Sequence, residues 1–165
     1  MLLVGKLLLC ICTSMILNVN IPSESMENTL ECNSSVIAVK TNIMSNIKRK
    51  DIIIFDCKIE DKIMIKRVIG LPGEHITISE GKIYVNDSEE PIKEDYIKEN
   101  WTEDNSDYEF DIPAGVYFVM GDNRNDSLDS RHWNGGEVSY VNREDIIAKA
   151  VFKYKPIFEV LSYNE

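Results

Sequence analysis

Ser25 and Lys66 are the residues whose types allow nucleophilic catalysis without a metal or a histidine. A serine hydroxyl is a weak nucleophile until a neighbouring base takes its proton. Lys66 lies among Ile63, Ile65, Val68 and Ile69, unlike the solvated lysines at 48 and 50. If its amine is buried, loss of water disfavours the ammonium and lowers its pKa towards that of a working base. From the pattern alone, an edge-strand lysine pointing to water is the simpler reading, so the pair stays open at this point. A Ser-His-Asp triad can be written from Ser25, His132 and Asp129. Two histidines scattered over 165 residues are, however, more simply ordinary surface or packing residues. No GxSxG elbow, HExxH, Walker loop or GxGxxG occurs. The four cysteines, at 10, 12, 32 and 57, form no CxxC pair and have no histidine at ligand spacing, which argues against a metal site or a dense disulfide framework.

The elements that must carry these residues read as β structure. Short runs rich in Val, Ile, Tyr and Phe recur at Ser35–Val39, Asp51–Phe55, Lys62–Ile69, His75–Ile78, Lys82–Val85 and Val116–Met120. Ile76-Thr77-Ile78-Ser79 alternates with the period of a half-buried strand. Leu71-Pro72-Gly73, Glu80-Gly81, Asn86-Asp87 and Pro113-Ala114-Gly115 mark turns. Short helices are expected only after Ser25 and near Asn142–Ile147. The expected body is mainly β, with irregular antiparallel sheets around a barrel-like core.

Residues 1–20 stand apart. Leu2–Leu17 has twelve apolar residues of sixteen and one charge, Lys6. As a helix it spans roughly 24 Å, and the lysine can snorkel to the headgroups. Asn18-Val19-Asn20-Ile21-Pro22 offers no small-x-small cleavage site, so a retained anchor is expected rather than a cleaved leader. Almost no tail precedes it, which fits a start upstream of Met1. Lys6 places the N-terminus in the cytoplasm and residues 21–165 outside. Eight residues from Leu17 to Ser25 reach at most about 26–29 Å, which keeps the serine near the membrane surface. There Cys32 and Cys57 are free to pair or not, and Cys10 and Cys12 read as apolar anchor residues.

The charge is uneven. Lys and Arg number 18 against 28 Asp and Glu, a formal −10, which argues against nucleic-acid binding. Asn86–Glu109 alone holds ten acids and two lysines, so the rest of the body is nearly balanced. That segment reads as a solvated loop or a β-extension.

Three blocks in order, Ser25-Met26 with Thr29-Leu30, Lys66-Arg67-Val68-Ile69-Gly70-Leu71-Pro72-Gly73-Glu74, and Gly121-Asp122-Asn123-Arg124 with Ser127, Asp129-Ser130-Arg131 and Trp133, resemble bacterial type I signal peptidase. That family consists of membrane-anchored Ser-Lys proteases that remove signal peptides, and the resemblance runs from the anchor to Ala148-Lys149-Ala150. It implies the signal-peptidase β fold, Ser25 as nucleophile and Lys66 as general base. Ser23 is implied as an oxyanion-hole hydroxyl beside the Ser25 amide, and Ser127 as the hydroxyl that orients the lysine. Asp129 and Arg131 are implied as a bracing ion pair, with Asp122 in the same supporting block. No cofactor or metal is implied. The implied partners are preproteins with small residues at −1 and −3, the lipid bilayer and the export translocon. The substrate would add as an extended strand to an exposed edge.

The sequence departs from that pattern at several positions: Glu24 for a common Gly, Asn28 for Pro, Asn125-Asp126 inverted, Ala148 for Gly, and no Gly before Asp51. Two other classes carry related features. Self-cleaving repressors share the dyad but need a DNA-binding domain, and a degenerate anchored β module would bind precursors without cutting.

Overall fold

Short runs rich in β-branched and aromatic residues build most of the sheet structure seen in the computed structural model, which describes residues 15–41, 46–102, 107–155 and 159–161. The larger sheet has eight strands. Its elements are β1 (Ile16–Asn20), β2 (Ser35–Lys40), β3 (Ile52–Cys57), β4 (Lys62–Gly70), β8 (Val116–Met120), β9 (Val141–Asn142), β10 (Ile146–Lys155) and β11 (Glu159–Val160). They run in the order β1-β2-β10-β3-β4-β8-β9, with β11 paired to β10. The smaller sheet is β6-β5-β7, formed by β5 (His75–Ser79), β6 (Lys82–Val85) and β7 (Tyr108–Asp111). All pairings are antiparallel. The mainly β expectation is met.

The helices differ from expectation. After Ser25 the chain makes a single helical turn, in which Leu30 N–H donates to Met26 C=O at 2.8 Å. Near residue 142 there is a 3-10 turn, Arg143–Asp145, while α1 (Trp133–Gly136) arises where no helix was expected. Most of the expected anchor, residues 1–14, lies outside the described residues. Ile16–Asn20, placed in the anchor by composition, instead pair with β2 from Ile16↔Val39 to Asn20↔Ser35. Their alternation explains this: Leu17 and Val19 turn to the core while Ile16, Asn18 and Asn20 face out. Among the described residues no helix is long and apolar enough to cross a membrane. Cys32 and Cys57 are both free thiols.

The core has three parts. One gathers Ile21, Met26, Leu30, Val36, Ala38, Ile54, Ile65, Ala148 and Ala150, and so fixes the turn after Ser25 against β2, β3, β4 and β10. A second surrounds Trp133, whose ring meets Phe55 edge-on at 5.8 Å. The third joins the small sheet to β4 and β8 and contains Tyr96 and Trp101. The acidic segment is therefore not simply a solvated loop. Most of its described carboxylates face out, but the Glu94 side chain is 8% exposed against Arg124, both rings are buried, and at its end β7 pairs with β5. Leu30 is fully buried. Leu30→Ala should lower the unfolding free energy in urea by about 2–5 kcal/mol. A change within about 0.5 kcal/mol, as at surface sites, would mean that the turn is not held by this side chain.

Candidate active site

The turn that carries Ser25 is pinned at both ends. Ile21 N–H donates to Ser34 C=O at 3.0 Å, and Met26 and Leu30 enter the core, which leaves Ser25 half-buried between them. Lys66 comes from β4, where it pairs with Ile53 in the register to β3, and only 3% of it is exposed. The two side chains meet, with Lys66 Nζ 2.6 Å from Ser25 Oγ. Lys66 is thus a buried lysine and not the water-facing edge residue that the pattern alone favours. Ser25's partner is this amine, so the paper triad with His132 is not formed at the serine.

Burial is the main cause that pushes the Lys66 pKa down from 10.5 to about 8. The charges of Asp129 and Asp122 oppose the shift, and those of Lys62 and Arg131 add to it. Both carboxylates are themselves neutralised by arginines. Arg67 Nε and Nη2 donate to Asp122 at 2.7 and 2.6 Å, with both side chains fully buried. Arg131 Nε and Nη2 donate to Asp129, both at 2.8 Å. Burial raises the Asp129 pKa, but Arg131 and the Gly121 amide at 2.9 Å outweigh it and hold the carboxyl below its usual range. Asp129 is thus paired with Arg131, and Asp122 with Arg67.

Ser23 Oγ lies 3.4 Å from Ser25 Oγ at the exposed mouth. Ser127 is buried behind the site, where a Cβ on Gly121 would come well under 3.0 Å from its Oγ and from the Ser25 carbonyl. Glycine at 121 is what lets these groups close in. Ser127 Oγ helps to hold Asp129 low, but it makes no hydrogen bond to Lys66, unlike the expectation.

Several residues in the site had no role assigned from the sequence. Thr29 Oγ1 donates to Asp122 at 2.5 Å, and Asn123 N–H to the Ser25 carbonyl at 3.2 Å. Glu94 pairs with Arg124, whose Nε donates to Gly121 C=O at 3.0 Å, and the Tyr96 ring lies 3.9 Å from the Arg67 guanidinium. The available signal was the adjacency of Lys66 and Arg67: on a strand, neighbours face opposite ways, and a buried arginine needs a carboxylate.

The dyad opens into a cleft of about 370 Å³ between the Pro22–Ser25 segment and Lys62–Lys66. β3 pairs with β4 from Lys62 to Arg67, whereas β8 takes up β4 only from Arg67 onward. The other edge of Lys62–Lys66 is therefore not paired with a strand among the described residues.

The unfolded lysine keeps its proton to about 10.5 and the folded one only to about 8, so between these values the unfolded chain binds more protons and stability rises with pH. Between about pH 7 and pH 11 the wild type should gain about 3 kcal/mol in urea unfolding relative to Lys66→Met. A difference constant across that range would place the amine in water.

The description "Signal peptidase, peptidase S26" fits residues 1–155 as a family model. Signal peptidase I of Leptolyngbya laminosa is 38% identical over 149 residues, which cover 83% of this chain and 68% of that protein. Signal peptidase I U of Bacillus subtilis is 35% identical over 146 residues, covering 85% and 76%. The crystal structure of a signal peptidase I from Enterococcus faecalis shares 31% identity and a TM-score of 0.50, covering 61% of this chain and 93% of that one. With the family model matching residues 1–155 and relatives of this similarity, the chain belongs to the signal peptidase family, peptidase S26.

Proposed function

We propose that the protein is a membrane-anchored serine endopeptidase that removes signal peptides from exported preproteins through a Ser25–Lys66 dyad. The observation that carries this reading is the 2.6 Å contact between Ser25 Oγ and a lysine amine held out of water. An amine with a pKa of about 8 is neutral in about a tenth of molecules at pH 7 and still basic enough to accept a proton.

The preprotein lies extended along the open edge of β4, with small side chains at −1 and −3 against the shallow cleft wall. Neutral Lys66 takes the proton of Ser25 as Oγ attacks the scissile carbonyl. The Ser25 amide and the Ser23 hydroxyl stabilise the oxyanion, a contribution of about 3 kcal/mol for a donor of this kind. Lys66 then gives its proton to the leaving amine, leaving an acyl ester on Ser25. A water that loses its proton to Lys66 hydrolyses the ester, and Ser25 recovers its proton. Ser127, packed on Gly121 and Asp129, holds the wall behind the amine.

The apolar segment that ends before β1 is the anchor, with the N-terminus cytoplasmic and the catalytic domain on the outer face near the export translocon. Its fourteen residues, 2–15, carry one charge and support that reading, and the short link to Ser25 keeps the cut near the bilayer surface.

Detergent-solubilised chain incubated with a small-x-small precursor should release the mature product. Ser25→Ala and Lys66→Ala should each lower kcat by about a thousandfold or more. The rate should rise about tenfold per pH unit below about 8 and level off above it, as the base loses its proton. Wild-type rates in either variant, or a profile that falls through this range, would overturn the dyad. On membranes the full chain should survive an alkaline carbonate wash. Release into the supernatant would remove the anchor.

A further inference from the structure

The cleft at Ser25 is uneven in charge. Along β4 its lining is apolar, through Ile63 and Ile65, and it ends at Lys62, about 13 Å from Lys66 at the rise of a strand. At the serine end stand Glu24 and Asp126, both exposed to solvent. Neither has an ion-pair partner among the described residues, and Lys98 is committed to Glu27 at 3.0 Å.

Asn123 fixes both acids relative to the nucleophile. Its side-chain amide donates to Glu24 C=O at 3.2 Å and its backbone N–H to Ser25 C=O at 3.2 Å, while its own carbonyl accepts from Asp126 N–H at 3.1 Å. Small side chains before the cut need the apolar wall. The residues after the cut are then left to the acidic end.

We propose that Glu24 and Asp126 select substrates by charge, favouring a basic side chain just after the scissile bond and rejecting an acidic one. The inference rests on the endopeptidase reading above and adds a substrate preference to it. Both carboxylates are in water, so each acts weakly and through a field that salt screens. The expected discrimination is about threefold for each unit of substrate charge.

The test uses the detergent-solubilised full chain and three fluorogenic small-x-small peptides that carry Lys, Gln or Glu immediately after the cut. At low salt kcat/KM should fall in the order Lys, Gln, Glu, and about 0.5 M NaCl should compress the ranking. Glu24→Gln combined with Asp126→Asn should flatten it, each rate being normalised to that variant's own rate on the Gln peptide. Glu89→Gln with Glu90→Gln, which removes the same charge from an exposed turn, should keep it. A flat wild-type ranking overturns the proposal, as does one that survives in the first variant or is lost equally in the second. Failure of the wild type to cut any of the three peptides overturns the endopeptidase reading itself.

Discussion

Arg67 and Asp122 form an ion pair with no exposure to solvent, and the geometry around Ser25 and Lys66 depends on it. A buried pair of this kind is costly to desolvate and holds only if its remaining hydrogen-bonding groups are met. Here they are: Arg67 also donates to Lys50 C=O at 2.8 Å and to Thr29 Oγ1 at 3.1 Å. One guanidinium thereby joins the serine turn, β4 and the segment after β8. These are three pieces of chain far apart in sequence, and each supplies a part of the site. Because Arg67 follows Lys66 directly, fixing one side chain fixes the direction of the other.

The same arrangement separates two demands on Lys66. Its amine must be dry enough to lose its proton, yet two aspartates stand near it. Unpaired, those carboxylates would hold the ammonium in place. Each is matched by its own arginine, so the local charge nearly cancels and burial decides the outcome. A lysine suits the proposed role of base for the same reason that an arginine beside it suits the role of brace: the ammonium gives up its proton when desolvated, and the guanidinium does not.

Much of the fold is legible in the sequence because its strands are short apolar runs set between turn signals, some of them alternating. His75–Ser79 is the clearest case, with Ile76 and Ile78 inward and polar neighbours outward. β10 was not legible, since its register shifts at Ala150/Phe152 and Lys153/Lys155 break the alternation. The alternation of β1 is masked by the apolar run before it, and β9 and β11, two residues each, exist only through their partners. At the site, type and spacing alone left Lys66 ambiguous, and the family motifs brought it to Ser25. Burial is a tertiary property: Met64–Gly70 are buried in a strand flanked by β3 and by β8, the latter far away in sequence. Ser127 shows the opposite limit: the motif implies a hydroxyl that orients the lysine, whereas in the fold its Oγ is buried against Gly121 without a hydrogen bond to Lys66.

The acidic segment carries a consequence for how this chain tolerates insertions and deletions. Glu94 meets Arg124, Tyr96 lies against Arg67, and Trp101 packs near Arg124 and Arg131 at 5.4 and 5.0 Å. Seen by charge alone, the stretch looks like a detachable decoration. Seen by contact, residues 94–101 are a buttress behind all three guanidiniums, and trimming them would unseat three cations at once. Freedom to change length therefore belongs to the exposed turn at Asn86–Glu90, where no side chain reaches the arginines. A stretch that looks expendable in composition is thus divided into a variable lip and an obligatory strut.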